Sequence, residues 1–177
     1  MSSKNIALAR EDYDSLLETI CCHRFWKPVC LTIMNTGIRI SELLALKWSD
    51  IDLDNKIIKV SKYVFPLGNQ VVDYKTPSAN RELPLSDSAA EVLAEYKKHR
   101  EREQKRNRCS YTAEGDWAFG NDESGLRSYS GISHNFRKYL RRQGLGDLNI
   151  TLKSLRLNQR EQDKAAKASV KQGGFEM

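Results

Sequence analysis

Thr36-Gly37-Ile38-Arg39-Ile40-Ser41-Glu42-Leu43-Leu44-Ala45-Leu46-Lys47-Trp48-Ser49-Asp50-Ile51-Asp52 decides how the rest of this 177-residue chain is read. Gly37 stands where an apolar helical run ends, the position at which a left-handed cap costs least, and Ile40, Leu43 and Leu44 begin a new apolar stripe at helical spacing. Two helices are therefore expected to meet at a tight corner. Arg39 falls at the start of the second helix, where the helix dipole disfavours a cation and burial disfavours an unpaired charge. An anion at the corner removes both objections, and the free N–H groups of a helix start also suit a phosphate. Glu42, one turn on, is placed to hold the guanidinium. The ordinary alternative is a plain Arg39–Glu42 ion pair at a helix start.

The wording from Thr36 to Asp52 resembles the first arginine motif of the tyrosine recombinases, the phage integrase family. A second stretch lies at a suitable distance after it. Lys75-Thr76-Pro77-Ser78-Ala79-Asn80-Arg81, followed by Pro84 and Leu85, resembles the family's hairpin that carries an active-site lysine. Read without the family, the same string is a polar turn whose Lys75, Thr76, Ser78 and Arg81 make a phosphate-friendly tip. A third stretch, Ile150 to Arg156, puts Lys153 and Arg156 one helical turn apart, able to face one anion. It resembles the family's His-x-x-Arg box with Lys153 in the histidine's place, a lysine that related type IB topoisomerases also use.

The resemblance implies a catalytic domain for site-specific DNA recombination or integration. Arg39 and Arg156 would neutralise the scissile phosphate, Lys75 would protonate the leaving 5′-oxygen, and Lys153 would join the phosphate-binding set. No cofactor or metal is expected. Duplex DNA and other recombinase protomers are the implied partners. In the family a tyrosine then attacks to form a 3′-phosphotyrosine, but all seven tyrosines here lie at or before Tyr139, and the polar string from Leu157 to Met177 contains none. Residues 1–156 are thus expected to form a partial catalytic domain and residues 157–177 a divergent, loosely held tail, the pattern of a truncated or frame-shifted gene. A cleavage-incompetent DNA-binding remnant, competing with an intact integrase, is the alternative reading.

Outside these motifs the chain reads as α+β and mainly helical, with a small three-stranded antiparallel sheet. Ala7 to Ile20 and Trp26 to Asn35 have helical patterning; Lys56 to Ser61, Gln70 to Lys75 and Arg81 to Leu85 are β-rich, the first two separated by Pro66, Gly68 and Asn69 as a hairpin would be. Pro84 places the third strand on an edge. Ser88 with Glu91 forms a candidate capping box for a helix running to Arg108, and Asp116 to Gly120 a brief connecting strand. Ser130 to Gln143 carries Ile132, Phe136, Tyr139 and Leu140 on one face and a basic set, Arg137, Lys138, Arg141 and Arg142, on the other. Arg137 and Arg141 are candidate DNA contacts, while His134 reads as a surface or packing residue.

Hydrophobic residues at 40% and charged ones at 29% describe a folded domain long enough to bury a core. The longest apolar run, Val29 to Met34, is too short to cross a bilayer, and the first residues carry no leader pattern, so a cytoplasmic protein is expected. Cys21, Cys22, Cys30 and Cys109 have no zinc-ligand spacing and read as reduced, mostly buried thiols. A net charge of +6 favours a polyanionic partner.

Overall fold

The computed structural model describes residues 9–76, 79–107, 116–121, 125–148 and 150–156. Its order is α1 (Arg10–Ile20), α2 (Trp26–Thr36), α3 (Ile40–Leu44), a 3₁₀ turn (Trp48–Asp50), β1 (Ile51–Asp52), β2 (Ile57–Val60), β3 (Lys62–Phe65), β4 (Gln70–Asp73), β5 (Arg81–Pro84), α4 (Asp87–Asn107) and α5 (Tyr129–Arg142). A last helical turn covers 152–156.

The α2–α3 corner forms as its sequence requires. Gly37 caps α2 at φ 64° and donates to Ile33 O at 2.9 Å, a left-handed conformation that disfavours any residue with a Cβ. Helix α3 has only five residues. Its dipole therefore contributes less to an anion site than the sequence suggests, and the charge at the corner comes from side chains.

The sheet is arranged differently from the expected hairpin. Gln70–Asp73 pairs with Lys62–Phe65, a strand not foreseen, rather than with Lys56 to Ser61. The three-stranded antiparallel sheet has the order β1-β2-β5, with Ile58 opposite Leu83 and Val60 opposite Arg81. β2 and β3 follow one another with only Ser61 between them, so residues 57–65 run as one nearly continuous extended stretch, with β5 antiparallel to β2 and β4 antiparallel to β3. The turn of the β3–β4 hairpin is Pro66 to Asn69, where Gly68 and Asn69 take positive φ. Lys75 to Asn80 joins β4 to β5, which pair with different strands and not with each other, so it is not a hairpin tip; just before it Tyr74 N donates to Ser61 O at 2.9 Å. Alternating β patterning shows that a segment is extended but not which partner it takes. Pro84 does sit on an edge strand.

Trp26, Val29, Cys30 and Ile33 of α2, Leu43 and Leu44 of α3, Leu93 and Tyr96 of α4, and Ile132, Phe136 and Leu140 of α5 share one core with Phe119 and Leu155. Trp26 packs on Phe136 with ring centroids 5.0 Å apart, and Tyr96 stacks on Phe119 at 5.8 Å. The 116–121 segment makes two isolated bridges, Lys47 with Trp117 and Asn121 with Gly125, in place of a strand. Ser86, not Ser88, caps α4. Asn35 Oδ1 fixes the Ser86 N–H, leaving its hydroxyl to accept from Ala89 N–H. Helix α5 is capped by Ser128, which accepts from Gly131 N–H at 3.0 Å. Cys30 is buried, which raises its thiol pKa, but Cys21 and Cys22 are exposed in the α1–α2 turn; Cys109 and the tail lie outside the described residues. No helix among the described residues is long and apolar enough to cross a membrane.

Candidate phosphate-binding corner

Glu42 is the centre of the site. It lies on the inward side of α3 beside Leu43 and is fully buried, so its charge requires partners. Arg39 N–H donates to Oε2 at 2.8 Å and Arg39 Nη1 to Oε1 at 2.9 Å. Tyr74 Oη donates to Oε1 at 2.6 Å, and Arg81 adds Nη1 to Oε1 at 3.0 Å and Nη2 to Oε2 at 2.7 Å. Burial pushes the Glu42 pKa up, but the hydrogen bonds from Arg81, Tyr74 and Arg39 outweigh it and hold it down to about 2. Tyr74 is pushed up, by burial first and then by its bond to Glu42, so its hydroxyl serves as a donor and stays protonated.

The expected Arg39–Glu42 ion pair is therefore present, yet it does not exhaust the arginine. Half of the Arg39 side chain, 51%, stays exposed, and it lines a 410 Å³ groove with Ser41, Tyr63, Phe65, Tyr74 and Lys75. Lys75 is exposed, with no hydrogen bond or ion pair among the described residues. Arg156 reaches the same corner from the far end of the chain: its Nε donates at 2.8 Å to the carbonyl of Gly37, two residues before Arg39. The turn carrying it is set by Thr151 and Ser154, which exchange backbone and hydroxyl hydrogen bonds, and by buried Leu152 and Leu155. Arg39 and Arg81 thus share the Glu42 carboxylate, Lys75 lines the groove beside Arg39, and Arg156 is anchored on the Gly37 carbonyl two residues before Arg39.

The other candidates are placed as follows. Lys153 is exposed, one turn before Arg156, without a partner among the described residues. Arg81 gives both Nη atoms to Glu42. Thr76 is exposed beside Lys75, and Ser78 lies outside the described residues. Arg137 and Arg141 are exposed on α5 and border a 160 Å³ cavity with Thr151, next to the Arg156 turn. His134 is exposed on the same helix. Glu42 is legible from its own helix, whereas Tyr74 carries no signal in the sequence beyond its position next to Lys75. Among the described residues no cluster of three His, Cys, Asp or Glu could hold a metal ion.

A helical core, a small antiparallel sheet and an arginine corner joined by a second, distant arginine define the catalytic-domain fold of the DNA breaking and rejoining recombinases. The sequence profile of the phage integrase family matches residues 7–160, and the chain belongs to that family. It is 28% identical over 149 residues to a XerC-like tyrosine recombinase of Caldanaerobacter subterraneus subsp. tengcongensis, a match covering 76% of this chain and 38% of that protein. Its fold is shared with the Tn1549 transposon integrase solved with circular intermediate DNA (TM-score 0.69, 17% identity, 89% of this chain and 54% of that one). It is shared also with XerA recombinase (TM-score 0.65, 21% identity, 90% and 49%). The chain spans about half the length of these solved relatives and less of the curated one.

Proposed function

We propose that this chain is the phosphate-binding part of a tyrosine recombinase catalytic domain and grips the backbone of duplex DNA in site-specific recombination or integration. The observation that carries the reading is the convergence of Arg39 and Arg156, 117 positions apart in sequence, on the Gly37 corner beside Lys75. Guanidinium groups suit a phosphodiester because they stabilise the extra charge of a pentavalent transition state by bidentate hydrogen bonding, and Lys75, exposed and unpaired among the described residues, would give a proton to a leaving oxygen. Lys153 joins them from the 152–156 turn, while Arg137 and Arg141 follow the neighbouring backbone. Residues 157–177 form the divergent tail of this unit.

Strand cleavage needs an attacking hydroxyl in line with the phosphate, which clustered cations do not supply. Tyr74 spends its hydroxyl on Glu42, and Tyr139 donates at 2.8 Å to Thr19 O. These two of the seven tyrosines are committed as donors, and the chain is read as one that binds the DNA backbone without cutting it. The test is a salt titration of duplex binding together with a nicked suicide substrate. Affinity should fall steeply with salt, Arg39→Ala and Arg156→Ala should each lose more than any single alanine between Lys97 and Arg106, and no covalent adduct should form. Equal small losses at all these positions refute the shared clamp, and an adduct on any tyrosine of this chain refutes the binding-only reading.

A further inference from the structure

Tyr74 and Arg81 flank the Lys75–Asn80 excursion, one immediately before it and one immediately after. The backbone ladder brings these two ends to neighbouring places on the 57–65 stretch, with Tyr74 bonded to Ser61 and Arg81 opposite Val60. That ladder fixes where the excursion begins and ends along the sheet but not how it tilts toward α3. The side chains supply the tilt: Tyr74 and Arg81 both donate to Glu42, the carboxylate that also takes the Arg39 N–H and Nη1. We propose that Tyr74 and Arg81 are positioning residues that tie both ends of the Lys75 excursion to the carboxylate orienting Arg39, so that Lys75 and Arg39 are presented to one phosphate as a unit.

The inference rests on the corner being a phosphate site, and deepens it by giving Arg81 a role other than direct DNA contact. A bidentate guanidinium is required at Arg81 because its two Nη atoms meet separate oxygens of Glu42, a fork that an ammonium cannot reproduce. Charge alone should therefore not restore the arrangement.

The experiment is a double-mutant cycle on duplex DNA affinity at low salt, using the full chain. In the native background Lys75→Met should weaken binding about fivefold. In an Arg81→Lys background, where net charge is unchanged, the same Lys75→Met should cost less than about twofold, because the lysine no longer reaches the phosphate. Arg137→Met should cost the same in both backgrounds, a readout that general loosening of the fold would move. Tyr74→Phe removes one hydrogen bond and keeps the ring, so its cycle gives an intermediate coupling and preserves the test should Arg81→Lys fold poorly. Equal costs of Lys75→Met in all backgrounds overturn the positioning role while leaving the phosphate site standing. No effect of Lys75→Met or of Arg39→Met in the native background overturns both.

Discussion

Replacing Glu42 by glutamine keeps the shape of the site and removes the carboxylate that Arg39, Tyr74 and Arg81 share. The amide oxygen can still accept from Tyr74 and Arg39, but the amide nitrogen then faces a guanidinium donor, and two part-exposed arginines lose their counterion. The magnitude follows from the carboxyl's pKa, which lies at about 2 in the folded chain against an ordinary 4.5. A depression of that size corresponds to about 3 kcal/mol of stability at neutral pH, within the cost of breaking a buried pair. Because the folded value is the lower one, this contribution is complete above pH 4.5 and is lost as pH falls toward 2. Urea unfolding of the native chain and Glu42→Gln at pH 7 and pH 3 measures it. The variant should be about 3 kcal/mol less stable at pH 7, with a melting temperature about 6–12 °C lower, and more than half of that gap should be gone at pH 3. A gap of the same size at both pH values would show that glutamine disturbs packing and not charge, and would refute the account of Glu42 as an ionised hub.

Gly37→Ala forces a Cβ into a left-handed cap, so it should cost about 1–2 kcal/mol in stability and weaken DNA binding, since the Arg156 anchor is the carbonyl of this residue; chemical denaturation and anisotropy titration read the two effects. Phe136→Ala should cost about 3–5 kcal/mol by opening a cavity against Trp26, while any protein that remains folded keeps the salt dependence of binding.

The first motif was legible because its requirements are local. A left-handed cap needs glycine, a short helix needs an apolar stripe, and a charged residue beside that stripe needs an ion, so Gly37, Arg39 and Glu42 could be placed from their own neighbours. The basic face of α5 was legible for the same reason: Ile132, Phe136 and Leu140 are buried while Arg137 and Arg141 are exposed. Pairing choices in the sheet were not legible. Lys62 to Phe65 lacks a turn signal separating it from the strand before it, and only the completed fold makes Gln70–Asp73 its partner. Arg81 was read as one more cation at a polar turn because nothing in its neighbourhood announces a carboxylate 39 positions earlier. The Ser86 cap went unseen because it depends on Asn35, 51 positions away. The exposure of Cys21 and Cys22 follows from their place in the α1–α2 turn, where no apolar period applies.

If Arg39 and Arg156 serve one phosphate, they must respond to an anion together. The most direct measurement is a titration of inorganic phosphate at low salt, followed through the side-chain Nε–H signals of nitrogen-15-labelled arginines. The signals of Arg39 and Arg156 should move together with a single midpoint, well before those of Arg106 and Arg137 respond. Independent midpoints for the two, or shifts no larger than those of Arg106, would contradict a shared anion site.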